Sequence, residues 1–369
     1  MTEDVAAFRA RFREWLRDNV IKPEPDEPHA LFLKRWHQTL YQGGWVGLSW
    51  PREYGGQELG NVYDVVLNEE IGASGAPDAP RIGYLGRALL QWGTEEQRRK
   101  YLPGLLSGAD YWCQGFSEPG AGSDLAGIAA RAVRDGDVYR ISGQKVWTTY
   151  GDYADYCLLL ARTGPPDGRH KGISAFVVPM RLPGVEVRPI RAITDESEFS
   201  EIFLDGVEVP AENRVGAEGD GWAIAMMTVA YERGAADVGY LSKFGAALQE
   251  LRAELATSRP GDPLVRRELG RLEVLYRVLG QHVARRLRER DGSDAPPGPE
   301  MSVDKLLMTQ VDQELHAGAV RLLGPSALLG EATSPWLRRY LYSRAASIYG
   351  GSEQIQLNIL AQRVLGLPR

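Results

Sequence analysis

Residues 113–149 read CQGFSEPGAGSDLAGIAARAVRDGDVYRISGQKVWTT, and the rest of the chain is organised around them. The first part, Ser117-Glu118-Pro119-Gly120-Ala121-Gly122-Ser123-Asp124, is a glycine-rich loop whose missing side chains let main chain come close to a ligand. The last part sets Trp147 beside two hydroxyls, Thr148 and Thr149, at the end of a strand. Between them, Asp135-Gly136 joins Ala132-Val133-Arg134 to Val138-Tyr139-Arg140-Ile141, which predicts a hairpin with a type I′ turn. Alone, Gly-Ala-Gly reads as an ordinary loop and a tryptophan at a strand end as core. Together, at this spacing, they are specific.

At 369 residues the chain has room for two or three domains and a large core. Its composition, 43% hydrophobic and 25% charged, is that of a globular protein. A net charge of −6 gives no reason to expect nucleic acid or an anionic membrane as partner. Cys113 and Cys157 share no close spacing, so neither a disulfide framework nor a metal knuckle is suggested. His29, His37, His170, His282 and His316 never stand at ligand spacing, and no metal is expected. The N-terminus, MTEDVAAFRARF, has no apolar run, so no signal peptide or membrane span is visible and a cytoplasmic location is the default.

Around the central stretch the hydrophobic period changes twice. Residues 1–112 read as helical: Val5, Phe8, Phe12, Trp15 and Leu16 recur at helical spacing, and Thr94 with Gln97 forms a capping-box signature. Over 113–213 the period is two. Short runs at 156–160, 173–178, 185–187 and 202–204 are separated by turn residues that include Leu182-Pro183-Gly184 and Asp205-Gly206, which predicts a small β sandwich or barrel. From Gly221 the helical period returns. One long helix runs from Trp222 to Leu255, a second stripe from Val265 to Leu287, and a loop covers 291–299. Stretches at about 303–323 and 352–364 complete a four-helix bundle over 214–369.

The glycine loop, the Trp147-Thr148-Thr149 strand and the helical, β, helical order resemble the acyl-CoA dehydrogenase family over nearly the whole chain. The resemblance implies an α+β multidomain fold: an N-terminal helical domain, a middle β sandwich or barrel and a C-terminal four-helix bundle. It implies FAD as cofactor. Phe116 and Ser117 would lie along the isoalloxazine ring, with the Ser117 hydroxyl at its N1–O2 edge, where a donor stabilises the charge of reduced flavin. The family's usual residue at 117 is threonine, and serine keeps the hydroxyl. Trp147 would pack on the ring with Thr148 beside it, and Thr149 would bond near N5. Gly122 and Ser123 would lie near the pantetheine and pyrophosphate, which also makes Ser123 a substrate contact. Ser352 and Gln354, at a helix start, would lie by the flavin.

The family's reaction needs a carboxylate in a dry pocket, because burial raises its pKa and makes it a competent base for the α-proton of an acyl thioester. In most members that glutamate stands in a Tyr-Glu-Gly-Thr turn near the C-terminus. Here the turn reads Tyr349-Gly350-Gly351-Ser352. A minority of members take the base from the long helix within an apolar-Glu-Arg sequence, and this chain has Tyr231-Glu232-Arg233 at that place. Glu232 is therefore the expected base, with Tyr231 and Arg233 on the substrate side; the alternative is a glutamate paired with arginine on a helix surface. Gly350 keeps the main-chain N–H that binds the thioester oxygen in the family. A glutamate engineered at 350 is expected to recover part of the activity of a chain lacking Glu232.

Homomeric members reach across a subunit interface to the neighbour's FAD with Arg-x-x-Phe-Gly and Gln-x-x-Gly-Gly sequences. Here those places read Ser258-Arg259-Pro260-Gly261-Asp262-Pro263 and Arg321-Leu322-Leu323-Gly324-Pro325. The resemblance is thus to bacterial members that form two-plus-two heteromers with a second, different acyl-CoA dehydrogenase-like chain. The alternative is a homomer in which Arg259 or Arg321 meets the phosphates. The implied partners are an acyl-CoA or carrier-bound acyl thioester and an electron-transfer flavoprotein-type acceptor. Two other functions compete: a flavin-dependent oxygenase or oxidase on the same fold, and a non-catalytic subunit that shapes a neighbour's site.

Overall fold

The computed structural model describes residues 4–80, 82–231, 235–289, 298–328 and 334–368. Five helices precede the sheet: α1 (Val5–Asn19), α2 (His29–Gln42), α3 (Asn61–Ser74), α4 (Gly83–Trp92) and α5 (Glu95–Ser107). The strands are β1 (Trp112–Gly115), β2 (Arg131–Asp135), β3 (Val138–Thr149), β4 (Tyr156–Arg162), β5 (Ile173–Pro179), β6 (Val185–Ile190), β7 (Phe199–Pro210) and β8 (Arg214–Val215). Helices then follow to the end: α6 (Gly221–Tyr231), α7 (Ala235–Ser258), α8 (Pro263–Glu289), α9 (Met301–Leu323), α10 (Pro325–Leu328), α11 (Pro335–Ser343) and α12 (Glu353–Ile359). No helix among the described residues is long and apolar enough to cross a membrane.

By packing, these elements form two compact units. The first comprises Met1–Val20, Gly60–Ala79 and Arg233–Arg369. Within it, Asp4 caps α1 by accepting from the Ala6 and Ala7 amides, and Phe8, Phe12 and Leu16 face inward. The buried Glu70 on α3 accepts from Arg9 at 2.6 Å and from Arg13 at 2.8 Å, which ties α1 to α3. Where α3 crosses α7, a Cβ on Gly72 would stand 2.4 Å from the Gly239 carbonyl oxygen, so only glycine permits this approach. Leu251, Leu255, Leu272, Leu279, Val311, Leu315 and Ala319 build the core of α7, α8 and α9, and Trp336 from α11 joins them. The helix at Pro335–Ser343 was not expected from the sequence; Ser334 starts it by accepting from the Trp336 amide, with Pro335 at its first position. The expected long helix is present as α6 and α7, on either side of residues 232–234, which lie outside the described residues, as does most of the expected loop at 291–299.

The second unit comprises Ile21–Leu59 and Pro80–Glu232. Its sheet runs β6-β7-β3-β2-β4-β5-β8, with β1 beside β4. The expected hairpin is β2–β3, with Asp135 opposite Val138. Gly136 has φ 59° and Asp137 is not left-handed, the pattern of a type II′ turn with glycine first rather than the expected type I′. Asp205-Gly206 is likewise not a turn between strands. It lies inside β7 where the pairing slips between Ile141↔Val207 and Gly143↔Leu204, and glycine at φ 60° absorbs the bulge. Cys113 and Cys157 are opposite each other on β1 and β4, both buried and both free thiols; the contact with Cys157, and then burial, push the Cys113 thiol well up.

The capping box at α5 forms as expected, with Gln97 N–H on Thr94 Oγ1 at 3.2 Å and Thr94 N–H on Gln97 Oε1 at 3.0 Å. Gln97 also donates to the carbonyls of Glu212 (2.6 Å) and Arg214 (2.9 Å), so one residue caps the helix and pins the end of the β region. His37 on α2 is buried and donates from Nε2 to the Leu106 carbonyl at 2.9 Å; burial holds its pKa down to about 4. The unfolded chain takes up this proton below about pH 6.5, whereas the folded one refuses it until about pH 4. His37 therefore contributes stability in full above pH ~6.5, and that contribution falls away on acidification towards pH ~4, by up to about 1.4 kcal/mol per pH unit. Denaturant midpoints of wild type and His37→Gln across this range should converge as pH falls; an identical pH dependence in the two proteins would contradict the assignment.

Candidate functional site

The central stretch is built from the end of β1, the loop after it and the end of β3. Gly115 ends β1, and a Cβ there would meet the Cys157 sulfur at 2.7 Å, which lets β1 lie tight on β4 before the chain turns out. The turn is Glu118-Pro119-Gly120-Ala121: Glu118 N–H meets the Ala121 carbonyl at 3.1 Å and Ala121 N–H returns to Glu118 at 3.0 Å. Proline presets the bend. A Cβ added at Gly120 or Gly122 would meet nothing within 4 Å, so both glycines present bare main chain to open space. Val146 N–H donates to the Ser117 carbonyl at 3.0 Å, which joins the loop to β3 one residue before Trp147.

Trp147 is 59% exposed and has φ 61°. A bulky non-glycine residue in the left-handed region is strained, and such strain gathers at functional sites. It arises where the β3–β7 register slips between Lys145 and Thr148, a bulge that leaves the indole exposed; among the described residues it meets the Phe199 ring edge-to-face, centroids 6.1 Å apart. Thr149 and Ser117 are half-buried beside it, whereas Thr148 is buried and its hydroxyl has no hydrogen-bond partner among the described residues. Phe116 is buried and Ser123 exposed. Ser117, Trp147 and Thr149 thus form a partly accessible shelf at the loop–β3 junction, with Thr148 buried between Trp147 and Thr149.

Beneath the shelf lies a feature the sequence reading missed. The Lys145 ammonium, wholly buried, is 2.7 Å from Glu118 Oε1 and 3.3 Å from the Phe116 carbonyl. Glu118 also accepts from the amides of Ala129 (2.6 Å) and Ala130 (3.0 Å). Burial pulls the Lys145 pKa down and the Glu118 carboxylate opposes it. The signal was available: alternation along β3 buries Tyr139 and Ile141, which puts Lys145 on the same inward face, and a buried lysine requires a partner. Further along, Arg162 donates to the carbonyls of Ala126 (2.7 Å) and Ile128 (3.0 Å), fixing the chain after the loop, and Arg169 pairs with Asp124 at 3.2 Å.

Within the other unit, Gly350 and Gly351 both take left-handed φ, 62° and 87°, which explains two glycines in succession. The buried Gln356, also unforeseen, donates to the carbonyls of Gly350 (3.2 Å) and Gly351 (3.0 Å) and so holds the turn. Ser352 caps α12 through the Ile355 amide at 3.4 Å, as expected; Gln354 is exposed. Tyr231 ends α6 half-buried, with the Arg87 guanidinium 4.7 Å from its ring centre. Glu232 and Arg233 lie outside the described residues. Both arginines weighed for a phosphate role are engaged within the chain: Arg259 donates to the Leu322 carbonyl at 2.9 Å and pairs with Asp262, and Arg321 pairs with Glu268 at 2.9 Å.

An outward-facing indole in strained backbone, hydroxyls at its side and a loop of bare main chain fit a planar, polar-edged aromatic group such as a flavin ring. Family profiles agree with this assignment over almost the whole chain: acyl-CoA dehydrogenase N-terminal domain at residues 2–109, middle domain at 113–207 and C-terminal domain at 219–365. The chain belongs to the acyl-CoA dehydrogenase family, whose members are flavin enzymes. It is 39% identical to acyl-CoA dehydrogenase IpdE1 of Mycobacterium tuberculosis, a match that covers 100% of this chain and 99% of that one. Among solved structures it is similar to the Tcur3481-Tcur3483 steroid ACAD, with TM-score 0.86, 27% identity and full coverage of both chains. It is also similar to the ChsE4-ChsE5 complex of Mycobacterium tuberculosis, with TM-score 0.84, 28% identity and coverage of 100% and 99%.

Proposed function

We propose that this chain carries out FAD-dependent α,β-dehydrogenation of an acyl thioester, on CoA or on a carrier protein, to the trans-2-enoyl thioester. The reading rests chiefly on Trp147, an exposed indole kept in strained backbone beside Ser117 and Thr149. A flavin held there would supply the acceptor for the β-hydrogen, which leaves as hydride. The chain's own residues do the rest. Trp147 offers a flat apolar face that excludes water, and Ser117 and Thr149 offer hydroxyls to the polar edge. Thr148, buried between Trp147 and Thr149 with an unpartnered hydroxyl among the described residues, completes the cofactor contacts. Ser123 and the Gly122 main chain lie on the open side for the thioester's handle. Glu232 takes the α-proton, with Tyr231 and Arg233 beside it. The Gly350 N–H receives the thioester oxygen.

We also assign the chain to one half of a hetero-oligomer with a second acyl-CoA dehydrogenase-like chain, passing electrons to an electron-transfer flavoprotein-type acceptor. In favour of this, Arg259 and Arg321 are held by intrachain partners, and two similar solved structures are described by pairs of chain names. Charge-assisted contacts to a cofactor's phosphates are strong, so a chain that lacks them should bind FAD poorly by itself. Expressed alone, it should purify with little flavin; co-expressed with a partner chain carrying Arg-x-x-Phe-Gly, it should hold one FAD per pair. A stable, fully flavin-loaded homotetramer of this chain alone would sink the heteromer assignment.

A further inference from the structure

Between Trp147 and Thr149 one buried hydroxyl has nothing to bond. Thr148 is 1% exposed, and its Oγ1 has no hydrogen-bond partner among the described residues. A buried polar group left unpaired is costly, so this one points to a partner that joins it in the working protein. The residues around it form a line towards solvent. Ser200 stands directly opposite Thr148 in the β3–β7 ladder, so the two side chains share one face of the sheet, with Cβ atoms about 4.5–5.5 Å apart. Gly151 packs against both and spares the space a side chain would take. A Cβ there would stand 3.2 Å from Thr148 Cγ2, 3.3 Å from Ser200 Cβ and 3.6 Å from Ser200 Oγ. Ser200 is wholly buried, and its hydroxyl donates to Asp152 Oδ1 at 3.5 Å. Asp152 itself is exposed. Two buried hydroxyls thus lead from the shelf to a carboxylate at the surface.

The proposed dehydrogenation creates a need for such a line. The β-hydrogen leaves the thioester together with two electrons. Once those electrons pass to the acceptor, that hydrogen remains as a proton and must be carried off. The α-proton is a separate one and goes to Glu232. A hydroxyl is both acceptor and donor, so it takes a proton on one lone pair and releases its own. The methyl of Thr148 meets the Gly151 side; a turn about χ1 exchanges it for the hydroxyl, and one water bridges what separates it from Ser200. The carboxylate suits the end of the line. Desolvation holds Asp152 above its usual range, against hydrogen bonds from Ser200 and from the Asp152 and Tyr153 amides, so it takes up a proton more readily than a free carboxylate.

We propose that Thr148, Ser200 and Asp152 form a proton exit from the cofactor edge to solvent, which carries off as a proton the hydrogen that arrived as hydride. The inference rests on the flavin reading of the shelf. The balance is two electrons to the acceptor and one proton to water. Each hydroxyl passes on its own proton and is refilled from behind, and Asp152 holds the proton before water takes it.

The test needs no thioester. The flavin-loaded protein, with its partner chain where one co-purifies, is reduced with dithionite without oxygen and mixed with ferrocenium, an acceptor that takes an electron and no proton. The returning absorbance of oxidised flavin gives the rate, which in wild type should be lower in D₂O than in H₂O. Asp152→Asn should slow it by about 10²-fold, the lower end of what a positioned proton acceptor contributes. Asp152→Glu should keep much of the rate, and added acetate should restore much of it to Asp152→Asn, which a lost packing contact would not allow. Thr148→Val, which keeps the shape and removes the hydroxyl, should be as slow and beyond the help of acetate, whereas Thr148→Ser should stay fast. The infrared difference between reduced and reoxidised protein should carry a carboxyl signal that is missing in Asp152→Asn. Wild-type rates in Asp152→Asn and Thr148→Val, or equal wild-type rates in H₂O and D₂O, would overturn the exit and leave reduction by thioesters standing. A slow Asp152→Asn that neither glutamate nor acetate restores would make Asp152 a packing residue and overturn it too. An assembly that holds no flavin would overturn the proposal together with the reading it rests on.

Discussion

Replacing Glu232 by glutamine is expected to lower the rate of flavin reduction by acyl thioester by roughly 10²–10⁴-fold or more, the usual contribution of a general base. Glutamine keeps the size and hydrogen bonding of the side chain and removes only the basic oxygen. FAD and thioester should stay bound, because neither contact depends on that charge. An α-proton of a thioester needs a carboxylate, and the turn that supplies one in most of the family offers Gly350 and Gly351, held by Gln356. Rapid-mixing measurements without oxygen read the rate directly. If Glu232→Gln reduces its flavin as fast as wild type, Glu232 is a helix-surface residue and the proton goes elsewhere.

The second large effect is structural. Lys145→Met should destabilise the β-containing unit by about 3–5 kcal/mol, because it strands a buried carboxylate. Glu118 would keep two amide donors but lose its only cation within 4 Å among the described residues. The loss falls under Ser117 and Trp147, so flavin should also be held less firmly. The double variant Lys145→Met/Glu118→Gln removes both charges and should lose clearly less than the sum of the two single changes. Denaturant midpoints followed by tryptophan fluorescence and by flavin release test both points. Lys145→Met unfolding at the wild-type midpoint would contradict the burial argument.

The architecture was legible because its periods are clean. Helical spacing in Phe8, Phe12 and Leu16, alternation in Tyr139 and Ile141, and the Thr94–Gln97 capping box each translate into one element. Where the reading slipped, a local signal carried two meanings. Asp205-Gly206 looks like a turn, but an unbroken ladder on either side makes it a bulge, and only the pairing of β3 with β7 shows which. In the same way Gly136-Asp137, not Asp135-Gly136, is the two-residue loop, and that changes the turn type. Cys113 and Cys157 are far apart in sequence and adjacent in the sheet, a register that spacing alone does not reveal. The shelf residues were readable as a motif, yet the support beneath them was not. Glu118 and Lys145 act through contacts between distant stretches, Gln356 reaches back only to its own turn, and each lies in a stretch that also reads as ordinary loop, strand or helix surface.

The central claim, that this chain holds a flavin which acyl thioesters reduce, is tested most directly by one titration. The co-purified, FAD-loaded assembly is mixed under anaerobic conditions with a panel of acyl-CoA and acyl-carrier thioesters while the oxidised flavin absorbance is followed. At least one thioester should bleach the flavin with one equivalent per FAD and yield the trans-2-enoyl product, and the bleaching should disappear in Glu232→Gln. A fully loaded flavoprotein that no acyl thioester reduces, or one that thioesters reduce equally well without Glu232, would contradict it.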